Sequence, residues 1–297
     1  IFDGISAAST TITGLTASTD YIVQVFEYNG VGGGSPDYFT NTSTGNPAST
    51  STYTPATVYC DYSSGDDSTG DGLSGSPYKT FNKCYTSANR GDTIDLTGTF
   101  DWTNADEDGD ASTSGYTLGK DLTINGQGAD STFVQADDTD DSASARVFTI
   151  SNNVSTTIKN ISLRYGKVSA DGGCIYTGTG TNVTLSYVEL FSCRATGDGG
   201  GIYSQATTTI DGSAIHANYA TSLAGGGISS YVSGGANYLV ITNSTIYNNT
   251  LTGGWNAGGG IHIRSGEGTI INSTITGNTS PGSGSGAGIW LYDSSES

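Results

Sequence analysis

Aliphatic residues recur at equal phase through the second half of the chain. Five glycine-rich phrases between positions 172 and 292 end in Ile175, Ile202, Ile228, Ile261 and Ile289. The intervals between these isoleucines are 27, 26, 33 and 28 residues. Self-similarity at a period of about 20–50 residues is typical of a solenoid. The pattern therefore predicts successive turns that stack on one another.

Two more aliphatic columns keep the same phase between these phrases. The first column is Ile158, Leu185, Ile210, Ile241 and Ile270, and the second is Leu163, Leu190, Ile215, Ile246 and Ile275. Stacking of equivalent residues predicts parallel strands around a narrow, side-chain-filled core. Three positions after the second column, the last three repeats have Asn218, Asn249 and Asn278. These residues predict a ladder of side-chain amides at turns that tolerate a left-handed backbone.

Residues 65–95 predict a cap on the first turn. An acidic loop at 65–73 precedes a short helix, expected at about 78–88, and a strand that starts at 91–94. This order resembles the N-terminal entry of many right-handed parallel β-helix proteins. An open solenoid end exposes strand edges and apolar side chains, so we expect the helix to cover it. The apolar face of the helix would contain Phe81, Cys84 and Tyr85.

The four cysteines form two local pairs. Cys60 and Cys84 are 24 residues apart, and Cys174 and Cys193 are 19 residues apart. An even count without CxxC spacing favours the disulfides Cys60–Cys84 and Cys174–Cys193 over zinc, with four buried free thiols as the alternative. Cys174 occupies the third position of a glycine phrase and Cys193 lies in the asparagine column. That pair would close one turn of the solenoid.

The first 45 residues have a different pattern. Apolar and polar positions alternate as in antiparallel strands. The phrase from Leu15 to Tyr21 resembles the tyrosine corner of a fibronectin type III domain, and the resemblance covers only the C-terminal half of such a domain. Residues 46–57, rich in Pro, Ser and Thr, predict a linker. Residues 58–297 would then form the solenoid, which we expect to continue beyond the last residue.

The glycine–isoleucine phrase and a second phrase, IxxN, together resemble the repeats of polymorphic outer membrane proteins, which carry GGA(I/L/V) and FxxN. The second phrase lies at 215–218, 246–249 and 275–278, with isoleucine in place of phenylalanine. This resemblance implies a right-handed parallel β-helix in a secreted or surface-displayed protein with adhesive roles and no enzyme activity. The fibronectin-like half beside it resembles mosaic surface proteins of Bacteroidota-type bacteria. The expected fold is therefore all-β, a right-handed parallel β-helix preceded by a partial fibronectin III-like β-sandwich.

Charge and composition limit the possible partners. The chain has 28 acidic and 10 basic residues, a net charge of −18. Nucleic-acid binding and polybasic membrane contacts both need basic patches, which the sequence does not predict. No apolar run is long enough to insert into a membrane. The chain lacks Met, so we expect an internal or processed segment of a longer extracellular or cell-surface protein.

Aromatic residues near the repeats are the candidate glycan-binding groups. Trp255 lies in the longest interval between two phrases, and Trp290 and Tyr292 follow Ile289 on one side of a strand. His262 and Arg264 would share a face and could bind an anionic sugar. Aromatic rings can also stack on sugar rings of glycans or host cell surfaces. The alternative is that these side chains only cover the sheet.

An acidic loop is the candidate calcium site. Asn104, Asp106, Asp108 and Asp110 place oxygen atoms at alternate positions, as in the first half of an EF-hand loop. The twelfth position is Gly115, where that motif has a bidentate glutamate. A Ca²⁺ site and a solvated acidic loop therefore both remain open.

These patterns favour a non-catalytic extracellular rod, a structural or adhesive segment of a cell-surface or filament protein. The alternative is a polysaccharide-binding or polysaccharide-degrading β-helix, such as a lyase or hydrolase. Such activities need charged side chains gathered on one solvent face. A groove with three or more acidic or basic side chains would therefore separate the two hypotheses.

Half of a fibronectin type III domain would expose a sheet edge and half of a core. Either the chain is cut inside that domain or a neighbouring chain supplies the missing strands. If the chain assembles, we expect self-association by strand exchange through residues 1–45, measurable by light scattering. An experimental structure of a monomer with residues 1–45 as a disordered tail would contradict this prediction.

Overall fold

The computed structural model describes residues 54–107, 114–221, 224–231, 238–253, 258–264, 266–281 and 286–292, together with the backbone of four short strands that precede them. The chain divides into two compact units, Ile1–Pro55 and Ala56–Ser297. In the first unit, Asp20–Val23 pairs antiparallel with Ala48–Ser51, and Tyr28–Asn29 pairs antiparallel with Asp37–Tyr38. The strand Ala48–Ser51 lies in the segment that the sequence predicts as a linker. The side chain of the expected tyrosine corner lies outside the described residues.

The second unit is a parallel β-solenoid, which confirms the all-β parallel fold predicted from the repeats. Its described strands form three sheets, and in four successive turns the chain passes through all three. The seven-stranded sheet consists of Tyr116–Leu118, Phe148–Ile150, Ile175–Thr177, Ile202–Ser204, Ile228–Tyr231, Ile261–Arg264 and Ile289–Tyr292. The large sheet consists of Thr57–Asp61, Thr93–Asp101, Leu122–Asn125, Thr132–Gln135, Ser155–Arg164, Asn182–Phe191, Thr207–Asp211, Ala214–His216, Tyr238–Thr242, Thr245–Tyr247, Glu267–Ile271 and Thr274–Thr276. The four-stranded sheet consists of Lys167–Val168, Arg194–Ala195, Tyr219–Ala220 and Thr250–Leu251.

All three aliphatic columns have the predicted register. In the seven-stranded sheet, each motif isoleucine is the pairing partner of the isoleucine in the next turn. The two columns of the large sheet pair in the same way from Ile158 to Ile270 and from Leu163 to Ile275. Most members are fully buried. Since burial of one Leu or Ile side chain stabilises a fold by about 1.5–3 kcal/mol, these columns supply much of the driving force for folding.

Each turn bends at residues with a left-handed backbone. One set lies within the large sheet and comprises Asn160, Tyr187, Gly212, Asn243 and Asn272. The other lies between the large and four-stranded sheets and comprises Tyr165, Ser192, Ala217, Asn248 and Gly277. The second set immediately precedes the asparagine column. The prediction that the ladder asparagines themselves occupy left-handed positions was therefore wrong by one residue. The preceding residue makes the bend, which turns the asparagine side chain into the core.

Hydrogen bonds join the buried asparagines from turn to turn. The Asn218 Nδ2 donates to Asn249 Oδ1 at 2.9 Å, and the Asn249 Nδ2 donates to Asn278 Oδ1 at 3.0 Å. Each amide also donates to a main-chain carbonyl of the preceding turn and accepts from a main-chain N–H. Because these polar groups are buried and satisfied, they fix the register between turns.

The third glycine of each phrase lies against this ladder. A Cβ atom at Gly227 or Gly260 would lie 2.9 Å from the amide carbon of Asn249 or Asn278, closer than side chains tolerate. In one turn both positions are cysteine, and the predicted disulfide Cys174–Cys193 joins them with a Cα–Cα distance of 5.4 Å. The disulfide thus takes the place of the glycine–asparagine contact. In the chain-entropy model, closing such a loop contributes on the order of 3 kcal/mol.

The helix Phe81–Ser87 covers the first turn, within the predicted range. Thr80 caps its N-terminus by accepting from the Lys83 N–H. The predicted disulfide Cys60–Cys84 joins the helix to the first strand of the large sheet, with a Cα–Cα distance of 6.3 Å. On its buried side, Phe81 packs in an aromatic cluster whose other members are Tyr85, Trp102, Tyr116 and Phe148. The cap therefore closes the core with rings instead of aliphatic side chains.

Replacement of a ladder residue tests how much the buried amides stabilise the fold. Asn249→Ala removes two donated and two accepted hydrogen bonds inside the core. We expect the free energy of unfolding to fall by about 2–4 kcal/mol. The exposed Asn182→Ala is the matched control, with an expected change within about 0.5 kcal/mol. Urea unfolding measures both variants, and equal stabilities would contradict a structural ladder.

Candidate functional site

Four of the five predicted glycan-binding residues lie on one sheet. His262 pairs in register with Trp290, and Arg264 pairs with Tyr292, on adjacent strands of the seven-stranded sheet. Side chains alternate along a strand, so the residue after each motif isoleucine lies on the opposite side from the core. We call this side the aromatic face. Trp255, the fifth predicted residue, lies outside the described residues.

Rings on the aromatic face stack mainly on one another. Tyr176 and Tyr203 are register partners, with ring centroids 5.6 Å apart and ring planes 17° apart. The Arg264 guanidinium lies between two rings, 4.7 Å from the centroid of Tyr231 and 5.7 Å from that of Tyr292. A sugar needs a free ring face for stacking. These contacts occupy such faces, so the arrangement chiefly reinforces the sheet surface.

The column of rings is interrupted in the turn after Tyr203, where its register partner is Ser229. Ser229, His262 and Trp290 are successive register partners, and each has a buried polar atom without a hydrogen-bond partner in the described structure. His262 is only 4% exposed. Burial, assisted by the nearby charge of Arg264, lowers the pKa of His262 to about 4. The imidazole is therefore neutral at pH 7 and can act only as a hydrogen-bonding group, not as a cation for an anionic sugar.

A second outward stack lies on the large sheet. The His216 imidazole lies between the rings of Phe191 and Tyr247, at centroid distances of 5.2 and 4.5 Å. Its Nε2 atom is 3.0 Å from the Glu189 carboxylate, which also accepts a hydrogen bond from the Ser162 hydroxyl. The carboxylate thus separates the hydroxyl from the imidazole. In this order the histidine cannot take a proton from the serine, as a nucleophile–base pair requires.

The described part of the acidic loop is bound to the cap helix. The Asp106 carboxylate forms an ion pair with Lys79, at 2.5 Å. Glu107 is buried, and its carboxylate accepts from the main-chain N–H groups of Phe81 and Asn82 at 2.9 and 3.4 Å. This carboxylate satisfies donors at the helix N-terminus that have no partner within the helix. The buried position of Glu107 was not predicted from the sequence, because an acid in an acidic loop is usually solvated.

The predicted calcium ligands lie only partly within the described residues. Asn104 and Asp106 are described, whereas Asp108 and Asp110 lie outside the described residues. Within the described ranges, no three His, Cys, Asp or Glu side chains converge in a way that would hold a metal ion. The calcium site therefore stays a prediction that depends on residues 108–113.

Comparison of the chain with protein families, curated proteins and solved structures found no match. The two disulfides are typical of proteins outside the reducing cytoplasm. Among the described residues, no helix combines the length and apolar character needed to cross a bilayer.

The Glu107 contacts predict a pH-dependent stability. Burial raises the pKa of Glu107 to about 7 from an ordinary 4.5, although the two main-chain hydrogen bonds oppose the shift. The folded state therefore holds this proton more tightly than the unfolded state does. Its stabilising contribution is fully present below about pH 4.5 and is lost as the pH rises through about 7, a change on the order of 3 kcal/mol.

Thermal unfolding between pH 4 and 8 measures this contribution. Glu107→Gln should remove most of this pH dependence, since the amide does not titrate. Glu267→Gln changes an exposed carboxylate and should retain the wild-type profile. A wild-type profile in Glu107→Gln would show that Glu107 does not titrate in this range.

Proposed function

We propose that this chain is a non-catalytic extracellular segment, structural or adhesive, of a cell-surface or filament protein, built as a rigid β-solenoid rod. The observation that carries the proposal is the continuous register of the three aliphatic columns and the asparagine ladder. Each turn is locked to the next by side chains as well as by main-chain hydrogen bonds, which makes the solenoid stiff. On the aromatic face, the rings of Tyr176 and Tyr203 also stack from one turn to the next.

The finer features of this proposal come from the sequence. They are the right-handed winding, the likeness to polymorphic outer membrane protein repeats, and the fibronectin III-like half that would join neighbouring chains by strand exchange. The extracellular or cell-surface location is supported by the two disulfides, because cytoplasmic thiols are kept reduced. Glycans or host cell surfaces would be the adhesive partners.

A polysaccharide-binding or polysaccharide-degrading β-helix is the second candidate. It is favoured by one observation: three basic side chains, Arg146, Lys167 and Arg194, line a single groove of the solenoid. A groove that gathers several charged side chains distinguishes a glycan-binding solenoid from a purely structural one. Binding to this groove is compatible with the adhesive role, whereas polysaccharide cleavage is not.

Bead adhesion combined with a cleavage assay tests the proposal. Beads coated with the purified chain should resist washing from surfaces that present glycans, compared with beads coated with the heat-unfolded chain. The same protein, incubated with acidic and neutral polysaccharides, should release no reducing ends or unsaturated products. Product formation in proportion to protein concentration would overturn the non-catalytic role. Equal washing of both bead types from every surface would overturn the adhesive role.

A further inference from the structure

A groove of about 1010 Å³ runs along the outward side of the four-stranded sheet. Lys167, Arg194 and Tyr219 are register partners in successive turns and line this groove. The preceding turn contributes the segment 141–146. Hydroxyl groups line much of the remaining surface and belong to Ser114, Ser142, Ser144, Ser169, Thr196 and Thr221.

Positive charge is concentrated in this groove. Arg146, Lys167 and Arg194 are three of the ten basic residues in a chain whose net charge is −18. Asp141 is the one acidic residue among the groove-lining residues that the structure describes. The groove therefore differs in charge from the rest of the molecule, and an anion is the ligand that such a groove selects.

The Arg194 guanidinium is held in position by an aromatic ring and by two carboxylates. It lies 5.4 Å from the ring centroid of Tyr219. Its Nε atom is 3.4 Å from the Asp141 carboxylate and 3.5 Å from that of Asp140, distances of an ion pair longer than a good hydrogen bond. That Nε is shielded from solvent and has no hydrogen-bond partner in the described structure. The side chain is nonetheless 35% exposed, so a carboxylate or sulfate would meet its two terminal nitrogen atoms, whose fork suits bidentate hydrogen bonds.

Arg146 adds a fixed charge at the edge of the groove. It is 7% exposed and donates to the carbonyls of Gly172 and Asp171 and to the Thr149 hydroxyl. Within the described ranges it forms no ion pair. Burial lowers the pKa of Arg146, because the low-polarity surroundings disfavour its charge. A nearby anion would offset that cost.

We propose that this groove binds an anionic glycan, with Lys167 and Arg194 contacting its acidic groups and the serine and threonine hydroxyls contacting its sugar hydroxyls. Successive turns lie about 4.8 Å apart, so an extended glycan along the solenoid axis meets one cation in each of two neighbouring turns. Tyr219, in the next turn, supports the Arg194 guanidinium with its ring. The inference rests on the adhesive part of the proposed function and names its ligand class.

Asp141 supplies an internal carboxylate to the two cations that would bind the glycan. Its carboxylate is 3.0 Å from the Lys167 ammonium and 3.4 Å from Arg194. An acidic peptide could satisfy the same cations. The hydroxyl-rich lining favours a sugar, since it offers many single hydrogen-bonding groups to sugar hydroxyls.

Calorimetric titration of the full chain tests the proposal. The probes are oligogalacturonate for carboxylates, chondroitin sulfate for sulfates, dextran as a neutral glycan and polyglutamate as an acidic peptide. We expect saturable binding of at least one anionic glycan that weakens as salt is added. Lys167→Gln combined with Arg194→Gln should weaken it by at least about 10-fold. Lys159→Gln combined with Arg90→Gln makes the same charge change elsewhere and should stay within about 2-fold of wild type.

A gain of affinity separates ligand binding from a structural role. Asp141→Asn removes the internal competitor and should tighten binding about 3-fold or more, whereas Asp138→Asn makes the same charge change at an exposed site and should have less effect. Circular dichroism confirms that each variant is folded. Equal effects of the two substitutions would overturn the competitor role of Asp141.

Three results would overturn the groove proposal itself: no binding of either anionic glycan, equal binding of dextran or polyglutamate, or unchanged binding after loss of Lys167 and Arg194. Retention of coated beads together with any of these results would leave the rod and its adhesive role in place. Loss of bead retention with intact glycan binding would overturn the adhesive role and leave the groove proposal in place.

Discussion

The structure depends on the requirement that each turn of the solenoid match the next one residue by residue. Parallel strands of successive turns share main-chain hydrogen bonds, so a shift by one residue would move every inward side chain to the outside. The aliphatic columns resist such a shift because it would expose their buried side chains to water. The asparagine ladder resists it with directional hydrogen bonds, because Asn249 can satisfy Asn218 and Asn278 only in one register. The Cys174–Cys193 disulfide fixes the same position covalently one turn earlier.

The ends and corners of the solenoid follow from that requirement. A stacked core leaves its first turn uncovered, and the helix Phe81–Ser87 closes it with an aromatic cluster and the Cys60–Cys84 disulfide. The buried Glu107 then satisfies main-chain donors of the helix, which solvent cannot reach once the acidic loop packs there. At the corners the backbone is left-handed, which explains why asparagine and glycine are common at those positions.

The outward columns of side chains differ from sheet to sheet. On the seven-stranded and large sheets, outward rings cover one another in columns, as Tyr176 does with Tyr203 and His216 with Tyr247. On the four-stranded sheet, the corresponding column begins with two cations, Lys167 and Arg194, in neighbouring turns. Hydroxyl groups and a single aromatic ring complete that surface. The proposed glycan-binding groove therefore lies on the shortest described strands of the solenoid, each of two residues.

The sequence alone determined the repeat, because columns of Ile and Leu can be buried together only if turns stack in phase. It favoured both disulfides over free thiols, because the cysteines form two local pairs. It also placed the cap helix, since Phe81 and Cys84 share one helical face. It placed the left-handed corner one residue late, because asparagine suits both a left-handed turn and a buried ladder. Only the tertiary structure decided that Glu107 is buried and that His262 is neutral, since both properties depend on packing. It also gathered Arg146, Lys167 and Arg194, which lie in different turns, because the solenoid brings distant residues together at the spacing of its strands.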